Sequence, residues 1–173
     1  MEKTLSRNLI FDGKVIKLYK DEVLCPNGNK AYREVIHHHG GAGVLLVKDN
    51  EVALVKQFRY AYQEELYEIP AGKLERDENP YEAAKRELEE ETGYHTESLI
   101  HLGDIYPSCG YTDEIIHIYL AKDVIKTTTH FDEDEEMDLV WLPLNEVNRM
   151  ITEGKIKDAK TICALYYYSN LKN

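Results

Sequence analysis

The sequence contains little cysteine and no long apolar run, and each shortage excludes a class of protein. Its three cysteines, Cys25, Cys109 and Cys163, are far apart in the chain. They therefore predict neither a disulfide framework nor a paired metal site, and a reducing, cytoplasmic setting is expected. The longest apolar run, near residues 43–47, is far too short to span a bilayer. The first eight residues are charged and lack the apolar centre of a signal peptide.

Basic residues are also in short supply. Lys and Arg number 21 against 32 Asp and Glu, which gives a formal net charge of −11. Nucleic acids and anionic membranes bind to basic surfaces, so this balance argues against both as partners. With 173 residues, 43% apolar and 31% charged, the chain is expected to fold as an ordinary globular protein without help from a disulfide or a metal.

Turn residues and apolar alternation predict a mixture of strands and helices. Residues 15–23 and 30–37 predict an N-terminal β-hairpin, with turns at 11–13 and 26–29. A second hairpin is predicted from residues 44–47 and 52–59, around a turn at Asp49 and Asn50. The other predicted elements are strands at 115–121 and 139–142 and helices at 144–152 and 158–171. Because no regular βαβ rhythm connects them, the predicted fold class is α+β, arranged as an α/β/α sandwich.

One helix is predicted with sharp ends, over residues 80–92. Asn79 is a favoured N-cap residue, Pro80 occupies the first helical position, and Glu82 stands where a capping box needs an acidic side chain. Gly93 is the residue type expected just beyond a helix C-terminus.

Three glutamates of this helix share one face. Glu87, Glu90 and Glu91 stand at i, i+3 and i+4, a spacing at which like charges repel by about 0.2–0.5 kcal/mol per pair. A hard divalent cation would remove the conflict, and oxygen-only ligands suit Mg²⁺ or Mn²⁺ better than zinc. The alternative is a solvated acidic surface, which is the common fate of charged runs.

The spacing around these glutamates resembles a known motif. Gly72 is followed by five residues and Glu78, then by seven residues and the run Arg-Glu-Leu-Glu-Glu-Glu-Thr-Gly-Tyr at 86–94. This pattern resembles the Nudix hydrolase box at its fixed positions. The resemblance implies a Nudix-type α/β/α sandwich with a mixed sheet. It also implies metal-dependent hydrolysis of a nucleoside diphosphate that is linked to another group.

The resemblance further implies roles for individual residues. Mg²⁺ or Mn²⁺ is expected as the cofactor, bound by the carbonyl of Ala71 and by the side chains of Glu87, Glu90 and Glu91. Glu90 is also expected to take part in catalysis. Gly72, Glu78 and Arg86 are expected to orient the loop and the helix that carry the ligands.

The flanking segments resemble the ADP-ribose pyrophosphatase branch of the family. By that resemblance, Arg59 is expected to bind substrate phosphates; a strand-end arginine paired with a carboxylate is the alternative. Segment 106–114 is similar to a substrate loop that usually contains Ser-Pro-Gly, but Cys109 stands at the position of the proline. The substrate contacts expected from this loop are Ser108, Cys109, Gly110 and Glu114, and its alternative is a plain turn between strands.

An acidic run at 132–136 is the third segment that resembles the ADP-ribose pyrophosphatase branch. The branch carries its catalytic base and one more metal ligand there, which implies Glu133 as the base and Glu135 as the ligand. A mobile acidic loop that closes over bound metal can place a general base beside the attacking water. The alternative is an exposed acidic linker.

The N-terminal residues 1–39 are expected to form a strand extension at a dimer interface, with the Nudix domain at 40–173. Arg33 and Glu34 match a pair that, in the branch, reaches the adenosine part of the substrate from the second subunit; a cross-strand ion pair is the alternative. The resemblance thus implies a homodimer that splits ADP-ribose into AMP and ribose 5-phosphate. Two alternatives are the same chemistry on another nucleotide sugar or dinucleotide, and a non-catalytic nucleotide-binding module.

Overall fold

A computed structural model describes residues 1–128 and 137–171. The strands are β1 (Lys3–Asp12), β2 (Lys17–Leu24), β3 (Lys30–His37), β4 (Gly41–Leu45), β5 (Val47–Lys48), β6 (Glu51–Arg59), β7 (Glu64–Glu68), β8 (Ala71–Lys73), β9 (Tyr94–His95), β10 (Ser98–Ile105), β11 (Ile116–Lys122), β12 (Ile125–Lys126) and β13 (Met137–Pro143). The helices are α1 (Pro80–Thr92), α2 (Leu144–Thr152) and α3 (Ala159–Ser169). None of these helices is long and apolar enough to cross a membrane.

The chain forms two compact units. The larger contains residues 41–105 and 116–171 of the described chain, and the smaller contains residues 1–40 and 106–115. Glu133 and Glu135 lie outside the described residues.

The larger unit is a layered α/β/α arrangement, as predicted. Its first sheet has the order β10-β11-β4-β8, and its second has the order β13-β6-β5, with β7 paired to β6. Strands β4 and β11 are parallel and the other pairs are antiparallel, so the first sheet is mixed. A third, two-stranded sheet joins β9 and β12.

Strand β4 shows how the layers form, because all five of its residues are buried. Val44 packs in a cluster with Leu88 of α1, whereas Leu45 packs in a second cluster with Leu165 of α3. Successive side chains of a strand point to opposite faces, so neighbouring residues supply the cores on the two sides of the sheet.

The smaller unit is a three-stranded antiparallel sheet, β1-β2-β3, together with residues 106–115. The predicted N-terminal hairpin was therefore incomplete: β2 and β3 pair as expected, but β1 adds a third strand. The apolar residues of β1, at positions 5, 9, 10 and 11, do not alternate with polar ones, so no period-two pattern marked this strand in the sequence. The predicted strand at 15–23 begins later, at Lys17, because β1 runs through Asp12 before the chain turns.

The second predicted hairpin also needs correction. Asp49 and Asn50 form the turn, with φ values of 51° and 64°, but the strands that they join are β5 and β6. Residues 44–45 belong instead to β4, in the other sheet. Asp and Asn tolerate the left-handed region better than most residues, which is why the turn itself was predictable.

Candidate active site

Helix α1 spans residues 80–92, as predicted from the residues at its two ends. The Asn79 side chain accepts a hydrogen bond from the backbone N–H of Tyr81 at 2.8 Å. Gly93 adopts the left-handed conformation, with φ 67°, and its N–H donates to the carbonyl of Glu89. These two caps fix the helical register and hence the face on which the glutamates lie.

Strand β8 runs beside the glutamates of α1. The N–H of Ala71 donates to Glu91 Oε2 at 2.9 Å, and Glu91 is only 4% exposed. At Gly72, an added Cβ would overlap the carboxylate of Glu87. Glycine at 72 therefore leaves room for the Glu87 carboxylate beside β8, which gives a physical reason for the first residue of the motif.

Arg86 connects the acidic groups. Its Nε and Nη2 atoms donate to the two oxygens of Glu78 at 3.0 and 3.1 Å. Its Nη1 atom donates to Glu87 at 2.7 Å and to Glu90 at 2.9 Å. Partial burial alone would lower the pKa of Arg86, but the hydrogen bonds and charges of these carboxylates outweigh it and raise that pKa.

Glu78 completes the loop that precedes α1. Its carboxylate accepts a hydrogen bond from the backbone N–H of Glu75 at 2.8 Å. The hydrogen bonds from Arg86 hold the pKa of Glu78 below its ordinary value. Glu78 and Arg86 thus tie the loop to the helix, which is the geometry that an orienting role needs.

The three glutamates of α1 have different neighbours in this structure. Arg86 bridges Glu87 and Glu90, whereas Glu91 turns to the backbone of Ala71. Their donor atoms are all oxygens, the set that Mg²⁺ and Mn²⁺ prefer. The set fits such a cation, which would take over the charge-neutralising contacts that Arg86 makes with Glu87 and Glu90.

We expect Gly72→Ala to disable this site while sparing the fold. The added methyl group would displace the Glu87 carboxylate, which is the flexible end of its side chain. A misplacement of about 1 Å can cost about a hundredfold in rate. Turnover in saturating Mg²⁺ and the melting temperature should be measured together. An unchanged rate would show that the position of Glu87 does not matter.

Arg59 lies in a second charged cluster, at the end of β6. Its Nε and Nη2 atoms donate to the two oxygens of Glu68 at 2.6 and 2.7 Å, so the structure contains the carboxylate pair that was the alternative reading of this arginine. Lys160 also donates to Glu68 and lies 3.1 Å from Asp158. The Arg59 side chain remains 40% exposed, and Glu91 is among the charges that raise its pKa.

Glu68 carries its charge while almost fully buried, with a side chain 3% exposed. Burial alone would raise its pKa. The hydrogen bonds from Arg59 and Lys160 and their positive charges outweigh that effect and hold the pKa of Glu68 at about 2.

This low pKa predicts an acid-dependent loss of stability. Because the folded pKa of about 2 lies below the ordinary 4.5, the contribution of Glu68 is complete above pH 4.5 and falls progressively as the pH approaches 2. The free energy of unfolding should be measured against pH for the wild type and for Glu68→Gln. Their difference should shrink as the pH falls, and a constant difference would contradict the assignment.

The remaining predicted site residues lie in the smaller unit. Arg33 binds Glu2 rather than Glu34, with Nε 3.1 Å from Glu2 Oε2, and Glu34 pairs in register with Lys20 of β2. Arg33 therefore makes an intrachain ion pair, the kind of contact considered as the alternative for this segment, and its partner is Glu2, just before β1.

Segment 106–115 is joined to the end of β3. The N–H of Ile36 donates to the carbonyl of Tyr111 at 2.7 Å, and His37 Nδ1 lies 2.7 Å from Asp113 Oδ2. Glu114 lies 3.5 Å from His38 Nδ1. Three more predicted contacts belong to this loop. The carbonyl of Ser108 accepts a hydrogen bond from the N–H of Thr112, and Cys109 is exposed. A Cβ added at Gly110 would meet no atom of the described residues within 4 Å.

Sequence reasoning missed the residues that support Arg59. The hydroxyl of Thr161 accepts a hydrogen bond from the N–H of Ile69 at 2.8 Å and donates to the N-cap residue Asp158 at 2.6 Å. Glu68 and Lys160 are 92 residues apart. One sequence signal could have located Lys160. Asp158 is a favoured N-cap residue, so it marks the start of α3 and places Lys160 in the first turn of that helix.

The chain matches known proteins along most of its length. A family model described as the NUDIX domain matches residues 37–165. A methanol dehydrogenase activator from Bacillus methanolicus is 43% identical, over 96% of this chain and 91% of the relative. An ADP-ribose pyrophosphatase from Bacillus subtilis is 41% identical over the same shares.

A further relative and a solved structure also match the chain. A GDP-mannose pyrophosphatase from Yersinia enterocolitica is 37% identical, over 86% of this chain and 84% of the relative. A crystal structure described as an ADP compounds hydrolase superposes with a TM-score of 0.85 at 19% identity, over 97% of this chain and 92% of that one. At that identity the structural match establishes the fold.

Proposed function

The chain belongs to the Nudix hydrolase family, and from this membership we propose that it hydrolyses the pyrophosphate bond of ADP-ribose to AMP and ribose 5-phosphate. The observation that carries the proposal is the shared face of Glu87, Glu90 and Glu91 beside β8, in a chain 41% identical to an ADP-ribose pyrophosphatase. The substrate is a polyanion and the chain has a net charge of −11. Binding therefore needs cations at the site.

We propose Mg²⁺ or Mn²⁺ as the cofactor. Its ligands would be the carbonyl of Ala71 and the carboxylates of Glu87, Glu90 and Glu91, with Glu135 from the segment outside the described residues. A bound divalent cation neutralises phosphate charge and activates water for attack.

The residues of the chain then have separate tasks. Gly72 keeps the space into which the Glu87 carboxylate projects. Arg86, anchored to Glu78 by two hydrogen bonds, fixes the helix against its preceding loop. Arg59 is held by Glu68 through two of its three guanidinium nitrogens and offers its half-exposed charge to substrate phosphates. The proposed contacts to the rest of the substrate are Arg33 and Glu34, from the second subunit of the dimer, and Ser108, Cys109, Gly110 and Glu114.

The proposed general base is Glu133. It takes a proton from the attacking water while the new P–O bond forms and the anhydride P–O bond breaks. We expect Glu133→Gln to slow turnover about 10²–10⁴-fold and to leave Mn²⁺ affinity nearly unchanged. Glu136→Gln is the matched control in the same acidic run. If Glu136→Gln lowers the rate and Glu133→Gln does not, the base is assigned to the wrong residue.

The second candidate function is hydrolysis of another nucleotide sugar, favoured by the 37% identity to a GDP-mannose pyrophosphatase. Initial rates on ADP-ribose, GDP-mannose, NADH and a nucleoside triphosphate in saturating Mg²⁺ distinguish the candidates. We expect ADP-ribose to be hydrolysed fastest, with AMP and ribose 5-phosphate as products. Faster hydrolysis of GDP-mannose would favour the second candidate. Nucleotide binding without any product would indicate a non-catalytic module.

We also propose that the protein is a cytoplasmic homodimer. In the single chain every residue of β1 is exposed, including the apolar Leu9, Ile10 and Phe11, which are 49%, 59% and 54% exposed. Apolar side chains concentrated in this way are typical of protein interfaces. Sedimentation velocity should give about twice the 20.1 kDa chain mass. A monomer at micromolar concentration would contradict the proposal.

A further inference from the structure

Two histidines and an aspartate meet on the surface of the larger unit, in a cluster to which the pyrophosphatase site assigns no role. His101 and Asp104 belong to β10, and His117 belongs to β11. Asp104 Oδ1 lies 2.7 Å from His101 Nε2 and 2.8 Å from His117 Nδ1. Within residues 1–128 and 137–171 this is the one group of three or more His, Cys, Asp or Glu ligand atoms that all lie within 4.8 Å of one another.

A β-bulge brings these three side chains together. In a regular strand, His101 and Asp104 would point to opposite faces, because they are three residues apart. The register of β10 against β11 shifts between His101 and Gly103. His101 therefore pairs with Tyr119 and Asp104 pairs with His117, and all four side chains lie on one face. Bulges that redirect a side chain in this way are common in edge strands, such as β10, and next to functional sites.

The packing around the bulge holds this arrangement. On the opposite face, an added Cβ at Gly103 would press against the ring of Tyr167 from α3, so the strand is fixed against that helix. On the cluster face, the imidazole of His101 packs on the ring of Tyr119, with centroids 5.3 Å apart. Tyr119 is only 6% exposed, so it gives His101 a rigid support.

The ligand atoms lie close enough together to share one ion. Two atoms each about 2.1 Å from an ion stand about 3.0 Å apart at a right angle and about 3.4 Å apart at the tetrahedral angle. The observed 2.7 and 2.8 Å are hydrogen-bond distances to Asp104 Oδ1, so these atoms would separate by about 0.6–0.7 Å to hold a tetrahedral ion. Two imidazoles with one carboxylate form a recognised ligand set for borderline transition ions. The side chains are 50%, 44% and 21% exposed for His101, Asp104 and His117, so an ion can reach them from solvent.

We propose that His101, Asp104 and His117 bind a divalent transition ion, with Zn²⁺ as the first candidate, and that the ion fastens β10 to β11. Asp104 is the penultimate residue of β10, and His117 is the second residue of β11. The ion would thus join the two strand ends from which the connection at 106–115 departs. Its ligands are mainly nitrogen, whereas those proposed on α1 are all oxygen, so the two sites would select different cations.

The test is zinc binding to the full chain with Mg²⁺ in excess, which keeps the oxygen ligands of α1 occupied. Isothermal titration should show a zinc site that Asp104→Asn and His117→Gln each weaken at least tenfold. His95→Gln is the matched control. His95 also contacts two carboxylates, Glu89 and Glu97, but through its two different ring nitrogens, so these acids cannot share one ion with it.

Imidazole NMR signals of the wild type give an independent readout that needs no variant. One equivalent of zinc should shift the ring signals of His101 and His117 and leave those of His95 unchanged. Zinc in hundredfold excess over its Kd should also raise the melting temperature by about 5–10 °C. Zinc that perturbs only other histidines, or that binds His117→Gln as tightly as the wild type, would overturn the proposal.

Discussion

Replacing Glu87 by glutamine is expected to lower the turnover of ADP-ribose about a thousandfold. The substitution keeps the shape of the side chain and its contact with Arg86 but removes the charge that a cation needs. A bound metal supplies several kcal/mol of transition-state stabilisation, and each 1.36 kcal/mol is tenfold in rate. The rate should be measured in saturating Mg²⁺, together with Mn²⁺ affinity.

The matched control is Glu82→Gln on the same helix. Glu82 lies in the first turn of α1, with a side chain 64% exposed and paired at 3.6 Å with Lys85. The Glu82→Gln variant removes the same charge away from β8, so its turnover rate should stay within about a factor of two of the wild-type rate. If both variants lost turnover equally, the loss would follow from the change in overall charge, and a specific role for Glu87 would be contradicted.

The second large effect concerns stability. Glu68→Ala is expected to destabilise the fold by about 3 kcal/mol, because it leaves the buried Lys160 and the half-buried Arg59 without their shared partner. Asp158 remains 3.1 Å from Lys160, which keeps the loss at the lower end of the range for broken buried pairs. Chemical denaturation gives the free energy of unfolding directly.

Glu65→Ala is the control on the same strand. Glu65 also forms an ion pair, with Lys56, but its side chain is 56% exposed. Exposed pairs contribute about 0–1 kcal/mol, so this variant should stay close to the wild type. The double variant Glu68→Gln with Lys160→Met should recover part of the loss, since both buried charges are then removed together. Equal stability of Glu65→Ala and Glu68→Ala would contradict the account.

Helix α1 was predictable because its information is local. Asn79, Pro80 and Gly93 each act within one turn of the helix, and together they fixed both ends correctly. The face shared by Glu87, Glu90 and Glu91 then followed from helical periodicity alone. Periodicity could not show the partners of these side chains. Arg86 donates hydrogen bonds to two of them, and the backbone N–H of Ala71 donates to the third.

The long-range parts of the structure were not predictable in this way. Strand β1 has three consecutive apolar residues, Leu9, Ile10 and Phe11, so no apolar alternation marks it. The contact between Glu68 and Lys160 spans 92 residues and depends on how β7 meets α3. The cluster of His101, Asp104 and His117 depends on a bulge, which changes the face of a side chain without any local signal in the residue pattern.

The most direct measurement is a crystal structure of the protein with Mn²⁺ and an ADP-ribose analogue, determined with anomalous data collected at the manganese edge. We expect an anomalous peak within coordination distance of the Glu87 and Glu91 carboxylates, with diphosphate oxygens completing the shell. Manganese density found only elsewhere, with these carboxylates still held by Arg86 and Ala71 while the analogue is bound, would contradict the account.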